Sequence, residues 1–429
     1  MDWLTLLIAS GIFVVTYTLI FSGRVHRTEA ALAGAVAMMV VGTLMGFFPV
    51  DEALEHVDVD TMWLLFGMMA IVGLLRRTGF FQFVAVGAAK LARGKPWVLL
   101  LSLGTAGAVL SMFLDNLTTV ITLAPVTLSI AELLGVPALP FLLATVLSAN
   151  TGGVATLVGD PPNMIIGSSA GFGFNDFLTR SAPISLALLF STLGFLLFRF
   201  RRELGVTTRN VETLVAMDPR AALADKRRTG ELLGVLGLVV LLFVTHQYLG
   251  LSPGLVALVG AAVAGLVLRP TVHEFLEGVE WEMLIFLAGL FIVVGGLEAS
   301  GAFALLAQSV NALAAHPVAL AVVLLWLGCL LCWSISAIPA TIILIAIVRG
   351  LGTLGVPMGP LWWALVWGIG FGANGTPLGT AANMAILSVA ERDGKPIAVR
   401  AWLAAGMPVA LLGCAVGSVV LWLGWSWLL

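Results

Sequence analysis

The sequence predicts an all-α, polytopic membrane protein made of two inverted repeats, each with five transmembrane helices, one of them broken, and one re-entrant hairpin. Three observations predict this fold class. Hydrophobic residues make up 60% of the 429 residues and charged residues only 10%, whereas soluble domains average about 25% charged residues. Apolar runs of about 20 residues, the length that crosses a bilayer, recur along the chain. The two halves also share a pattern of acidic, glycine and asparagine positions.

The first repeat is predicted to cover residues 1–200, with a boundary at the polar linker 201–229. Its elements are scaffold helices within 3–75, an interfacial helix at 80–95, a hairpin at 97–133, a broken helix at 138–171 and a helix at 184–199. The interfacial helix is predicted because residues 80–95 are amphipathic and end in basic side chains. The first apolar run has no basic leader and no small-residue cleavage site, so we interpret it as a retained helix.

The hairpin is predicted from two short apolar arms. Residues 97–114 and 117–130 flank Asp115 and Asn116, and each arm is short for a full span with polar flanks. Irregular backbone at membrane depth is tolerated only where it is buried in protein or lines a wet cavity. We therefore expect a re-entrant hairpin with these two polar residues at its tip.

The broken helix contains the stretch SANTGGVATLVGDPPNMIIG, residues 148–167. Gly152 and Gly153 loosen its backbone, and Pro161 and Pro162 remove two donors and clash with the preceding turn. Its polar side chains lie at membrane depth, where each is costly without a partner or a role. The simpler interpretation of this stretch is a polar loop between two helices. The more specific interpretation is an unwound transmembrane helix that binds a solute.

The second repeat is predicted over residues 230–429, with a hairpin at 317–352 and a broken helix at 361–390. Residues 303–315 are again short and amphipathic, as an interfacial helix would be. In the repeat, Asp58 aligns with Glu280 and Gly67 with Gly289. The motif T-x-x-G-x-x-x-N recurs at 156–163 and 376–383, an order that chance similarity between apolar stretches does not explain.

Five spans is an odd number, so the second repeat is predicted to be inverted relative to the first. With both termini outside the cell, all 21 Lys and Arg except Arg180 and Arg349 lie on the inner side, as the positive-inside rule requires. This orientation makes the linker cytoplasmic and places the chain in the inner cell membrane. Counting each hairpin arm as a full span keeps the same parity, so charge does not separate these two topologies.

Inverted repeats with broken helices place a substrate site near the midplane. The candidate substrate-binding residues are the polar and glycine positions of the tips and breaks: Asn116, Thr118, Asn150, Thr151, Gly152, Thr156, Asn163, Ser336, Asn374, Thr376, Thr380 and Asn383. Asp115 and Asp160 are the candidate proton-coupling residues, because burial and mutual repulsion favour proton uptake by carboxylates. A helix cap for Asp115 and a turn or cap for Asp160 remain alternatives.

The sequence contains no signature of catalysis or of a bound cofactor. No His, Cys or Ser–His constellation occurs in the breaks, so we expect neither an enzyme nor a cofactor. Cys329 and Cys332 share a helical face and would suit a soft metal, but two small apolar side chains is the favoured interpretation, and no metal site is predicted. No G-x-x-x-x-G-K-[ST] motif occurs, so ion gradients or passive flow drive any transport unless a partner ATPase supplies energy. Nothing points to nucleic acid.

The runs FLDNLTTVITLAPVT and NTGGVATLVGDPPNMIIG resemble the ion transporter superfamily, and more closely its branch of arsenite efflux permeases, D-type sodium–proton antiporters and the melanosomal P protein. The resemblance covers nearly the whole chain. It implies a scaffold domain, a mobile transport domain with two hairpins and two broken helices, and an elevator-type mechanism. Members of the superfamily can form homodimers through the scaffold.

Many members of that branch have a second Asp-Asn-x-Pro at the second hairpin tip, where this chain has Ser336-Ala337-Ile338-Pro339. Losing that carboxylate weakens the case for sodium and suits a neutral substrate. The resemblance therefore implies an efflux transporter for arsenite or antimonite, as neutral trihydroxides, with proton antiport. Sodium–proton antiport is the alternative. A dicarboxylate carrier is expected less, because Arg349 is the only basic residue foreseen within the membrane; a passive channel is also open.

Overall fold

The computed structural model describes residues 3–303, 305, 315–352 and 355–428, and within them every regular element is helical. Nine of the described helices are long and apolar enough to cross a membrane. The all-α, polytopic fold class is therefore confirmed. The second predicted interfacial helix, at 303–315, lies mostly outside the described residues.

We number ten helices of the first half in chain order and leave the three-residue helix Phe174–Asp176 unnumbered. They are α1 (Trp3–Ser22), α2 (Arg27–Met45), α3 (Val50–Glu55), α4 (Val59–Arg77), α5 (Phe80–Ala92), α6 (Pro96–Ser111), α7 (Asn116–Leu134), α8 (Leu139–Gly153), α9 (Pro161–Ala170) and α10 (Ala182–Arg199). Helices α6 and α7 form hairpin 1, and α8 and α9 form broken helix 1. A π-helical turn, Phe177–Ser181, leads into α10.

The second half repeats this order after the linker. Its helices are α11 (Val211–Ala216, in the linker), α12 (Lys226–Leu249), α13 (Pro253–Leu268), α14 (Val272–Glu277), α15 (Trp281–Ala299), α16 (Pro317–Ile335), α17 (Ala337–Gly352), α18 (Met358–Gly372), α19 (Ala381–Arg392), α20 (Val399–Leu423) and α21 (Trp425–Leu428). Helices α16 and α17 form hairpin 2, and α18 and α19 form broken helix 2.

Helix α7 is longer than the second arm predicted for hairpin 1. The second arm was expected at 117–130 and too short to span, yet α7 runs over Asn116–Leu134 and is one of the nine helices long enough to cross a membrane. Length therefore does not identify the arm as re-entrant. The tip of hairpin 1 packs against broken helix 1 inside the protein, where Thr156 donates a hydrogen bond to the carbonyl of Met112.

The helices pack in two groups. Helices α1, α2, α4, α12, α13 and α15 form the scaffold group, in which α4 packs on α13 and α2 on α15. The repeat-related Gly67 and Gly289 stand at these two contacts, where an added Cβ would lie 2.5 Å from the backbone of Ala257 and 3.0 Å from that of Ala31. The two hairpins, the two broken helices, α10 and α20 form the hairpin group.

The basic linker lies against the ends of α4 and α7, through hydrogen bonds from the Ala224 N–H to the Thr78 carbonyl and from the Arg209 N–H to the Leu134 carbonyl. Arg77 of α4 pairs with Glu274 and Glu277 of α14 at 3.3 and 2.7 Å. Lys395, after α19, lies 3.5 Å from Glu132 near the end of α7. We call this the basic end. The loop between α9 and α10 contacts the end of α12 at the opposite end, through a hydrogen bond from Asn175 to the Val244 carbonyl.

Candidate functional site

Both hairpin tips and both helix breaks meet at one cavity of about 650 Å³. Its hairpin-group wall carries Asp115 and Asn116 from tip 1, Asp160, Pro161 and Pro162 from break 1, 334–339 from tip 2, and Leu378 and Thr380 from break 2. Its scaffold wall carries the end of α1, the start of α2 and the start of α15. The cavity therefore lies between the two groups, towards the basic end.

Break 1 is stabilised by one buried amide. Asn163 donates from Nδ2 to the carbonyls of Gly153 at 2.9 Å and Thr156 at 2.8 Å. Unwinding frees these carbonyls from helical hydrogen bonds, and an unpaired buried carbonyl costs free energy. Asn163 thus makes the broken backbone tolerable inside the protein.

Break 2 repeats the same solution. Asn383 donates from Nδ2 to the carbonyls of Ala373 and Thr376, both at 2.9 Å. The two threonines of the repeated motif also act alike, since Thr156 and Thr376 each donate to a carbonyl of the adjacent hairpin tip. Gly152 packs beside α6, where an added Cβ would lie 2.4 Å from the Ala108 carbonyl oxygen. These residues build the breaks behind the cavity wall.

A chain of side-chain amides connects the two halves. Asn116 donates to Asn150 Oδ1 at 3.2 Å, and Asn150 donates to Asn374 and Asn383 at 3.0 and 2.8 Å. Asn374 in turn donates to the Thr151 hydroxyl at 3.2 Å. Only Asn116 of this chain lines the cavity. The chain therefore couples tip 1 to both breaks without presenting all its amides to a substrate.

The two hairpin tips differ in chemistry and in backbone. Asp115 Oδ1 accepts a hydrogen bond from the backbone N–H of Thr118 at 2.7 Å, so it caps α7 and also lines the cavity. Ser336 has φ of 70°, a region that favours glycine. The N–H of the next residue, Ala337, bonds the Gly379 carbonyl at 3.0 Å, which joins tip 2 to break 2.

Asp160 occupies the position before α9, yet its side chain makes no capping hydrogen bond there. Its residue is only 4% exposed and lines the cavity. Thr380 holds the same position before α19 and does cap it, accepting from the Asn383 N–H at 3.2 Å. The two breaks thus place different groups at equivalent points: an uncapped acid and a hydroxyl that serves as a cap.

The scaffold wall adds charged residues that the sequence reasoning did not select. Glu280, immediately before α15, and Arg27, at the start of α2, both line the cavity, and the Arg27 guanidinium lies 5.6 Å from the Phe286 ring centroid. Arg349, the only basic residue predicted within the membrane, does not line this cavity but a separate small one. The sequence signal that could have identified Glu280 is its alignment with Asp58, since each acid directly precedes a scaffold helix.

Glu280 precedes its spanning helix and is half-buried. Burial and, to a smaller extent, the negative charge of Asp115 raise the pKa of Glu280 to about 7, against the opposing effect of Arg27 and Arg76. A carboxylate with such a pKa changes charge near neutral pH, whereas an ordinary Glu titrates near 4.3.

Five of the predicted site residues line the cavity: Asp115, Asn116, Asp160, Ser336 and Thr380. The others lie behind it or beside it, in the amide chain, at the break carbonyls or, for Thr118, in the first turn of α7. Cys329 and Cys332 are free and buried. No group of three His, Cys, Asp or Glu side chains among the described residues is arranged to hold a metal ion.

Two hairpins, two broken helices and a polar cavity against a scaffold define a membrane transporter. The chain belongs to the citrate transporter family, CitMHS, whose family model matches residues 17–368. It is embedded in the lipid bilayer as a multi-pass protein.

Named relatives agree with this class. The chain is 38% identical to an uncharacterized transporter of Mycobacterium tuberculosis, over 97% of this chain and 98% of the relative. It is 29% identical to the human P protein over 96% of this chain, which spans 59% of that longer protein. The YdaH transporter of Alcanivorax borkumensis has a similar fold, with a TM-score of 0.63 and 16% identity, covering 94% of this chain and 99% of that one.

Proposed function

We propose that this chain is a secondary active transporter that exports arsenite and antimonite, as neutral trihydroxides, in exchange for protons. The observation that carries the proposal is the shared cavity wall on which Asp115 and Asp160 stand beside Asn116, Ser336 and Thr380. The amide and the two hydroxyls can donate to and accept from a hydroxylated solute. The two acids supply groups that can exchange protons in the same place.

The charges of the cavity favour a neutral or cationic substrate. Asp115, Asp160 and Glu280 line it together with a single cation, Arg27. Like charges in a poorly solvated site repel strongly. The family description refers to citrate, a tricarboxylate, which would have to enter this cavity protonated or with an accompanying cation. A dicarboxylate faces the same obstacle.

The packing of the two groups supports alternating access by an elevator movement. The tips and breaks pack with one another in the hairpin group, and the cavity separates them from α1, α2 and α15 of the scaffold group. Movement of the hairpin group along the scaffold would carry Asp115 and Asp160 as a unit. With the basic end in the cytoplasm and both termini outside, the cavity opens inward.

Sodium–proton antiport is the second candidate, and Glu280 favours it. The serine at tip 2 removes one carboxylate expected of a sodium carrier, but Glu280 brings a third carboxylate to the cavity from the second half of the chain. The missing negative charge is thereby supplied from the scaffold group.

Transport into everted membrane vesicles separates these substrates. Arsenite, antimonite, sodium and citrate are offered side by side, with a proton gradient that an uncoupler can collapse. We expect concentrative arsenite and antimonite uptake that the uncoupler abolishes. Sodium-dependent proton movement without arsenite accumulation would replace the first candidate by the second. A channel would be indicated if the substrate equilibrates across the membrane with or without the uncoupler and never accumulates above its external concentration.

The carboxylate roles are tested with Asp115→Asn and Asp160→Asn in the same vesicles. Asparagine at position 115 can still cap α7, so folding is retained while the charge is removed. The matched control is Glu282→Gln, an acid of α15 that is 75% exposed at its side chain and does not line the cavity. Both aspartate variants are expected to lose gradient-driven uptake and the control to keep it. If both retain it, the proton-coupling assignment is wrong.

A further inference from the structure

The start of α15 brings a carboxylate to the substrate cavity from the group of helices opposite the hairpin tips. Glu280 makes no side-chain capping hydrogen bond to α15. It lines the cavity with Arg27 and faces a wall that contains Asp115 and Asp160. An acid in the first position before a helix is usually available as a cap. Glu280 does not cap α15 and lines the cavity.

The repeat-related acid, Asp58, lies before α4 at the other end of the scaffold group. It lines a cavity of only about 40 Å³, together with His56, Glu298 and Arg349. Its carboxylate is fully engaged with the first turn of α4: Oδ1 accepts from the Thr61 N–H at 3.0 Å and Oδ2 from the Thr61 hydroxyl at 2.7 Å. Glu280, at the large cavity, does not cap its helix, whereas Asp58, at the small cavity, does cap its helix. We call these the open mouth and the closed mouth.

Contacts between the two helix groups close the small cavity. Arg349 of hairpin 2 lies 4.0 Å from the Glu298 carboxylate of α15 and donates to the Ser169 hydroxyl of α9 at 3.3 Å. Glu298 belongs to the scaffold group, and the other two residues belong to the hairpin group. Movement that opens this mouth must separate Arg349 from Glu298, and it would expose the region of Asp58.

We propose that Glu280 is a third carboxylate of the transport site, supplied by the scaffold at the basic-end mouth, and that Asp58 takes its place when the cavity opens at the opposite mouth. The carried acids, Asp115 and Asp160, would then meet a scaffold acid on whichever side is open. Glu280 would exchange protons only with the solution at the basic end. This inference deepens the proposed function and rests on it for its transport readout.

The charged groups around Glu280 fix the direction of the expected pH effect. Asp115 of hairpin 1 and Glu282 of its own helix disfavour its ionised form, and Arg27 of α2 and Arg76 of α4 favour it. Asp160 of broken helix 1 lines the same cavity, and His26 pairs with Glu282 at 3.6 Å. Glu280 is expected to be ionised above about pH 7 and protonated below it.

The experiment varies the pH of each side separately in everted and right-side-out vesicles, with arsenite and sodium as the probes. Between pH 6 and pH 8 the protonated fraction of a group with this pKa changes about tenfold. Glu280→Gln is expected to lose the dependence of the transport rate on basic-end pH and to keep the dependence on opposite-side pH, whereas Asp58→Asn is expected to lower the transport rate. The matched controls are the next repeat-related pair, Glu282→Gln and Asp60→Asn, which should keep both dependences.

Two results would overturn the inference: a Glu280→Gln protein with the wild-type response to basic-end pH, or a variant that alters the response on both sides equally. A second measurement does not depend on the substrate. Glu280→Cys and His56→Cys are labelled with a membrane-impermeant maleimide, against a background in which the described native cysteines are all buried. We expect labelling from opposite faces; labelling of both from one face also overturns it.

If the wild-type protein moves neither arsenite nor sodium, the proposed function fails. The labelling result still decides whether these two positions open to opposite sides, so the two failures are distinguishable.

Discussion

The two broken helices have the same backbone solution and different chemistry. Asn163 and Asn383 each donate to two carbonyls of the unwound segment that precedes them. Before the following half-helix, break 1 has the uncapped Asp160 and break 2 has Thr380, which caps its helix. The feature that both repeats share is the asparagine that bonds the free carbonyls, and this is what stabilises a broken helix inside the protein. The residue before the following half-helix can differ because the carbonyls of the unwound segment are bonded by Asn163 and Asn383 and not by this residue.

The largest expected effect tests the asparagines that stabilise the two breaks, Asn163 and Asn383. Asn163→Ala and Asn383→Ala each leave two buried carbonyls without a donor, at a cost of about 1–3 kcal/mol per group. Both variants should lose most of their folded protein, with Asn383→Ala the worse because Asn150 also bonds to it. Thermal unfolding midpoints in detergent measure this, with Asn175→Ala as the control, since the Asn175 amide makes an exposed hydrogen bond to a backbone carbonyl, that of Val244. Unchanged midpoints would show that the carbonyls find other partners.

The next comparison concerns Asp160 and Thr380, the equivalent positions of the two breaks, and separates a role in transport from a role in stability. Asp160→Asn should reduce gradient-driven transport about 100-fold, the lower range for removing a proton-transferring group, without moving the unfolding midpoint. Thr380→Ala should instead lower the free energy of unfolding by about 1 kcal/mol, the typical value of a helix cap, and keep coupling to the proton gradient. Paired vesicle uptake and melting curves test both; the opposite pattern would reverse the roles of the two breaks.

Close packing behind each break gives a smaller, symmetrical effect. An added Cβ would lie 2.4 Å from the Ala108 carbonyl oxygen at Gly152 and 2.6 Å from the Cys329 Cα at Gly372. Overpacking of this kind costs about 1–3 kcal/mol, so Gly152→Ala and Gly372→Ala should destabilise the protein to similar extents. Gly194→Ala is the control, since nothing lies within 4 Å of its added Cβ. Destabilisation by the control alone would refute the packing argument.

The smallest expected effect concerns tip 2. Ser336 has φ of 70°, and Ser336→Gly relieves strain of about 1 kcal/mol or more, partly offset by the greater freedom of glycine when unfolded. The melting midpoint should rise slightly, while the loss of the hydroxyl weakens substrate affinity. The control, Ser334→Gly, lies in a helix and should lower the midpoint. A lower midpoint for Ser336→Gly would mean that its hydroxyl contributes more than the strain costs.

Sequence by itself determined the all-helical membrane architecture, because hydrophobic run length and composition are local properties. It also determined the polar residues of the tips and breaks, since Asp115, Asn116 and Asp160 are conspicuous in apolar surroundings. The sequence did not show which of these polar residues support the backbone and which line the cavity. Asn163 and Asp160 are near neighbours in the chain, yet one supports the backbone and the other lines the cavity.

Only the tertiary structure decided which side chains face one another across the cavity. Glu280 is far from Asp115 in the chain, and its place opposite the hairpin tips results from how α15 packs against the rest of the protein. The buried amide chain from Asn116 to Asn374 likewise depends on the meeting of two halves. A sequence pattern records which groups are available, but the hydrogen bonds and charges they share depend on distances that the folded packing sets.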